Sequence, residues 1–449
     1  MPLYHYKALN IRRPKSKSKL RVALFSQNPS VLGSGNERLV YNTAKSLIER
    51  GHDARVYVKN AHIRQWLPFF VHKLPKFPGE YFFEKIFSKI TGINDFFFPS
   101  TLLMALHPWI GSADVLHFHN IHAHYVSIPF LGVVSRIKPV LLSPVDQYLS
   151  TGYCPYTLDC EKYLTGCGSC PKIDAAYPGI SRDATKLLFR IKKAFIKYSR
   201  VHLLYHTEAL ANHYKQTFVQ NKVGKVIPYG EDINCFQRKP RSQCRRRLGL
   251  SSDNRFVIGL FHSFILDPRK GILPIIKKLD RFAQEFADSI ELLVVGRDSA
   301  SVKAMVPTGI SATVLPYLRH SHELSDALNI CDVLLYPTQA ENLSLLTLAA
   351  LACGVPVISF DAGGQKEAIR NGVNGFIVAR NDFEGMFDLI AKMIRNPALT
   401  KSLGTDARLA QENYDFDRYI DDLIAHYYDI IGVDDGGRIK PQEKKDERK

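Results

Sequence analysis

The sequence predicts an α/β protein built from two Rossmann-like domains, each a parallel sheet covered on both faces, that face each other across a central cleft. Three observations predict it. Strand-length apolar runs alternate with stretches whose apolar residues recur at helical spacing. That alternation restarts in the second half of the chain. The 449 residues, 45% of them hydrophobic, suffice for two cores of ordinary size.

Residues 1–19 read as a basic flexible arm, carrying Arg12, Arg13, Lys15, Lys17 and Lys19. Residues 20–25 begin the first buried strand. Gly33-Ser34-Gly35-Asn36 leads into a helix over 37–48, Gly51-His52 ends it, and residues 54–58 form the next strand, completing one βαβ unit. Further strands fall at 115–118 and 140–142, and the N-terminal domain spans 20–205. A hinge is expected between 201 and 232, because Val226-Ile227-Pro228-Tyr229-Gly230 reads as strand then turn. The C-terminal domain, 206–415, has strands at 257–261, 291–295, 333–336 and 355–358. A helix over 416–432 crosses back to the first domain, and 433–449 form a disordered tail. Ligands of such sheets sit beyond the strand C-termini, so the cleft is the expected site.

The segment 341–358 carries the most chemistry, reading as polar loop, helix, glycine stop and buried strand. Ser344 can cap the helix, whose free N–H groups and positive dipole end then face the loop, and Gly354 stops it. That is the anatomy of an anion site, and a nucleotide diphosphate fits it. Lys plus Arg outnumber acids 60 to 43, giving +17 and favouring anionic partners: lipid surface, polyprenyl phosphate, nucleotide or nucleic acid. Part of that charge sits in Arg245-Arg246-Arg247. No nucleic-acid module is recognisable. No apolar run approaches a membrane span, and the N-terminus lacks the apolar stretch of a secretory signal, so the expected location is cytoplasmic.

Cys154, Cys160, Cys167 and Cys170 lie within seventeen residues, inside an insert at 150–172. In a cytosolic chain such clustering argues for thiolate coordination of a structural zinc; an iron–sulfur cluster and packed free thiols stay open. The strand 114–120 brings His119 to its end, with His117, His122 and His124 close by. Their i, i+2 spacing supplies at most part of a metal ligand set, and partly buried packing is the alternative. Residues 66–98 interleave ten Phe and Tyr positions with Lys73, Lys76, Lys85 and Lys89. Either an interfacial membrane surface or a buried aromatic helix pair has that composition.

The segment 341–358 closely resembles the donor-binding signature of retaining glycosyltransferases of family 4, and the resemblance runs over most of residues 21–430. Gly33 and Gly35 resemble the family's glycine-rich first loop, Asp267-Pro268-Arg269-Lys270-Gly271 its donor-phosphate loop, and 360–369 and 371–376 further family segments. A similar Cys-rich insert occurs in a polysaccharide-building subset. The resemblance implies the GT-B fold and retaining transfer of a sugar from a nucleotide sugar to a saccharide or polyprenyl-linked acceptor, with no catalytic metal. It also implies roles: Glu341 and His119 orient the sugar, Lys270 and Arg269 offset the diphosphate, and Asn342, Leu343 and Ser344 form the donor loop. Asp146 is the acceptor-side acid or base. The chain departs from the family pattern at Ala349, where a second acid holds the ribose, at Phe264 and at Val145. Two other readings stay open: a catalytically silent partner subunit, and a metal-containing regulatory or nucleic-acid-binding protein.

Overall fold

The computed structural model describes residues 19–27, 35–59, 68–122, 124–171, 182–222, 224–251, 254–409 and 413–432. The tail 433–449, Trp66, Gly33 and all but Lys19 of the basic arm lie outside the described residues.

The first sheet contains β1 (Arg21–Ser26), β2 (Asp53–Val58), β3 (Val71–Lys73), β4 (Val115–His119), β5 (Val140–Ser143), β6 (His202–Tyr205) and β7 (Gly224–Val226), ordered β3-β2-β1-β4-β5-β6-β7. The second contains β8 (Phe256–Phe264), β9 (Ile290–Arg297), β10 (Ser311–Leu315), β11 (Val333–Tyr336), β12 (Val357–Phe360) and β13 (Gly375–Val378), ordered β10-β9-β8-β11-β12-β13. All pairings within both sheets are parallel. Each sheet reverses its winding beside its first strand, between β1 and β4 and between β8 and β11, and ligands of such sheets gather there.

Period-two burial shows why these runs are strands. Val22 and Leu24 of β1 enter one core and Ala23 and Phe25 the other, so the strand is covered on both faces. In β8 the same alternation sends Val257 and Phe261 one way and Ile258 and Leu260 the other. The first sheet continues past residue 205: β7 pairs with β6, and the helix Glu208–Lys215 packs on both. Residues 206–226 therefore belong with the first sheet, a correction to a boundary at 205. The apolar run there ends in a turn, but its partner strand is too short to signal itself.

Five helices matter below: α1 (Gly35–Glu49), α2 (Glu80–Thr91), α3 (Thr185–Tyr198), α4 (Leu345–Ala352) and α5 (Phe416–Ile431). The chain crosses between domains twice, side by side: Glu231 N donates to Tyr414 O at 2.9 Å and Phe416 N to Glu231 O at 3.3 Å. Arg38 of α1 pairs with the Glu231 carboxylate at that junction. α5 then lies on the first domain, with Tyr419, Ile420, Leu423 and Tyr427 in the same core as Val22 and Leu24. Its Tyr427 hydroxyl meets His117 Nδ1 at 2.7 Å. The basic run at 245–247 is partly internal: Arg245 is buried against Glu291 at 2.9 Å, and Arg247 reaches Asp326 at 3.3 Å.

Candidate active site

A cavity of about 370 Å³ opens between the domains at the switch point of the second sheet. Its floor comes from strand ends. β8 delivers His262, Ser263 and Phe264, and β11 delivers Tyr336, which stacks on His262 with ring centroids 4.9 Å apart. Past β8 the chain turns at Asp267, whose carboxylate caps the backbone N–H of Arg269 at 3.0 Å. Gly271 has φ +68°, and a Cβ there would overlap the Pro337 carbonyl. Only glycine lets this loop lie against the one after β11, and so Lys270 comes level with Glu341.

Lys270 Nζ lies 3.1 Å from Glu341 Oε2, and the Tyr336 hydroxyl donates to the same oxygen at 3.0 Å. Burial pushes the Glu341 carboxyl up, yet Lys270 and the Tyr336 and Asn342 hydrogen bonds outweigh it and hold it below its ordinary value. Glu341 is therefore ionised at neutral pH. Three residues on, Ser344 Oγ accepts from Leu346 N at 3.1 Å and starts α4, and Gly354 at φ +69° ends it. Asn342 reaches across to the first domain, accepting from Thr207 Oγ1 at 2.6 Å. Its buried Nδ2 has no hydrogen-bond partner among the described residues. Leu343 is buried in the core yet lines the cavity. Arg269 is held by Asp267 at 2.6 Å but also lines the cavity.

The opposite wall belongs to the first domain: Gly35, Asn36 and Arg38 at the start of α1, then Val145, Tyr156 and Tyr229. Gly35 lies against the Leu345 side chain, so the start of α1 abuts the α4 N-terminus. Tyr156 comes from the Cys-rich insert, and nothing in the sequence pattern marks it. His262 and Tyr336 were also missed, although their position at strand C-termini could have found them.

Asp146 is buried and paired with His122, Oδ2 to Nε2 at 2.8 Å, with Asn120 Nδ2 at 3.2 Å and the Tyr148 N–H at 2.9 Å. Burial raises the Asp146 carboxyl, but the His122 charge and hydrogen bond lower it further. Burial lowers His122, and Asp146 more than restores it, so the imidazole holds its proton more tightly than usual. A histidine is thus supplied to Asp146 from the preceding loop instead of from position 145.

His119 does not join this group. It is 1% exposed at the end of β4, its ring tilted against His117 with centroids 4.0 Å apart, and neither ring nitrogen has a hydrogen-bond partner among the described residues. Burial holds its pKa at about 3. The expectation was that β4 delivers it into the cleft; here it is buried beside His117 and is not among the residues lining the inter-domain cavity.

The zinc expectation finds no support. Cys154, Cys160, Cys167 and Cys170 are free thiols lining one small cavity of about 20 Å³. Among the described residues no group of three or more His, Cys, Asp or Glu comes together to hold a metal. Cys167 Sγ instead accepts from Gly152 N at 3.2 Å, and burial pushes the Cys154 thiol up to about 11. Of the nearby histidines, His117 and His119 are buried on β4, His122 pairs with Asp146 and His124 lies 3.7 Å from Glu84, and among the described residues they form no ligand set either.

Residues 258–410 match the family described as Glycosyl transferases group 1. Over 414 residues the chain is 23% identical to the N-acetyl-alpha-D-glucosaminyl L-malate synthase of Bacillus anthracis, covering 92% of this chain and 97% of that one. It is 27% identical over 231 residues to the D-inositol 3-phosphate glycosyltransferase of Rhodococcus opacus, 49% of this chain and 50% of that one. The match thus spans about half the length of that relative. Anabaena Alr3699/HepE in complex with UDP-glucose superposes with a TM-score of 0.61 at 18% identity, covering 91% of this chain and all of that one. The two-sheet architecture is that of GT-B glycosyltransferases, and within the second sheet's domain residues 258–410 match the group 1 model.

Proposed function

We propose that this chain is a retaining glycosyltransferase that moves a sugar from a nucleotide-sugar donor to a saccharide or lipid-linked saccharide acceptor, in the building of a surface polysaccharide, at the cytoplasmic side of a membrane. One observation carries the reading. An ionised carboxylate, a lysine and the capped start of an eight-residue helix converge on one inter-domain cavity, at the strand ends where such sheets bind ligands. The donor diphosphate would lie over the α4 N-terminus, where helix N–H groups and Lys270 offset its charge. Glu341 would orient the sugar hydroxyls, and Asn342 Nδ2 supplies a buried donor that a ligand can satisfy. In the transfer the anomeric C–O bond breaks with its electron pair leaving on phosphate. The acceptor oxygen forms the new bond, and its proton departs.

The Asp146–His122 pair is the acceptor-side candidate. His119, buried beside His117 with neither ring nitrogen partnered among the described residues, is given no role in this reading. Relatives support the class and not the substrates: one is named for an inositol phosphate acceptor and one for malate. A panel of UDP- and GDP-sugars offered to the full chain tests it. Donor hydrolysis or transfer that falls in Lys270→Ala is expected. Nucleotide-sugar binding without turnover toward any acceptor offered would instead favour the silent partner subunit, which the buried Ala349 motivates.

A further inference from the structure

Helix α2 is built inside out. Its two acids, Glu80 and Glu84, are 3% and 0% exposed, while Phe82 and Phe83 are each 62% exposed and Ile90 65%. Tyr81 and Ile86 also face outward. The acids are turned in by hydrogen bonds. Glu80 accepts from Ser100 N at 2.8 Å and Ser100 Oγ at 2.7 Å, and Glu84 from Phe97 N at 2.9 Å. These bonds fix the following loop to the helix and set Phe97, 47% exposed, beside it. Such an arrangement is not an accident of poor burial: the positions that could have been charged on the outside satisfy the loop's backbone instead.

The surface this leaves is aromatic and basic. Between residues 68 and 113 the sequence has three acids, Glu80, Glu84 and Asp95, and all three are buried. Lys73 and Lys85 are exposed there. Large apolar side chains projecting from a helix, flanked by lysines and with no exposed acid between residues 68 and 113, meet the requirements of an interfacial helix. We infer that α2 and its loop dock on an anionic lipid surface, the aromatics entering the headgroup boundary and the lysines pairing with lipid phosphates. A second copy of this face fits less well, because it would set lysines against lysines. The inference stands independently of the transfer reading. Its link to that reading is placement: Glu84 lies 3.7 Å from His124, two residues from the His122 paired with Asp146. Lipid bound at α2 would present a lipid-linked acceptor to that side of the cleft.

The test is co-sedimentation of the full chain with vesicles of phosphatidylcholine alone and of phosphatidylcholine mixed with phosphatidylglycerol, which needs no sugar chemistry. Binding to the mixed vesicles is expected. It should weaken in high salt and in Lys85→Glu, and fall roughly tenfold or more in the triple variant Phe82→Ser, Phe83→Ser, Ile86→Ser. These side chains are exposed, so the variant should fold and keep its UDP affinity. Wild-type protein that stays in the supernatant with both vesicles would overturn the inference. So would a triple variant that binds like wild type, which would assign lipid binding to another part of the chain. A concentration-dependent dimer that the triple variant abolishes, with no vesicle binding, would assign the face to self-association.

Discussion

Lys270 and Glu341 come from loops 71 residues apart, and each sets the other's usefulness. Replacing Lys270 by Ala removes the charge expected to offset a leaving diphosphate, and kcat should fall by about 10²-fold or more with little change in melting temperature. A melting temperature that drops as steeply as activity would make Lys270 structural. In the first domain, Asp146 and His122 shift toward their charged forms together. The sign follows from the two directions. His122 has a raised folded pKa, so its stabilising share is full below about pH 6.5 and is lost as pH rises through that raised value. Asp146 has a lowered pKa, so its share is full above its ordinary range and is lost as pH falls through the lowered one. In Asp146→Asn the His122 titration midpoint, followed by NMR, should fall; an unchanged midpoint would show that the pair is not coupled. Ala349 has a packing account. It is fully buried in the core, so Ala349→Glu should cost about 3 kcal/mol or more in denaturant unfolding rather than gain a ribose contact. Stability equal to wild type with tighter UDP binding would reverse that account.

Elements hold the site through two devices of different legibility. The cap and stop of α4, Ser344 and Gly354, are readable from residue type and spacing, because a helix end is a local problem. The apposition of the two donor loops is not, because it depends on Gly271 meeting Pro337 across strands far apart in sequence. Gly271→Ala should strain that loop by about 1–3 kcal/mol and weaken nucleotide binding, as calorimetry would show. The crossing helix α5 carries His426 and lies over the first domain, where three further buried neutral histidines sit. His117 is held well below its ordinary pKa, and His119, His206 and His426 lie at about 3, 4 and 4, burial being the main cause in each. An unfolded chain would protonate them below about pH 6.5, so stability present above that pH is lost as pH falls toward 4. Urea unfolding at about pH 5 should show a deficit of roughly 1–2 kcal/mol per fully buried histidine relative to neutral pH. Pairs of histidines two apart on a strand could have been ligands or packing; their burial between sheet and helix, which no local pattern encodes, decides for packing.

At the scale of the molecule, both parallel sheets were legible because strands buried on two faces write continuous apolar runs, and the helix between them writes a different period. The boundary at 205 was less so, since β7 is three residues long and half exposed. The zinc expectation finds no support, because the four cysteines share one small cavity yet form no metal-holding group among the described residues. The aromatic segment at 66–98 had a composition with two meanings, and only the inward turn of Glu80 and Glu84 separates them. The central claim concerns the inter-domain cavity as a nucleotide-sugar site. Calorimetric titration of the full chain and of Lys270→Ala with UDP, GDP and their sugar conjugates tests it most directly. The account predicts saturable one-site binding of at least one such nucleotide, weakened about tenfold or more by Lys270→Ala; no binding of any, or binding indifferent to Lys270, would contradict it.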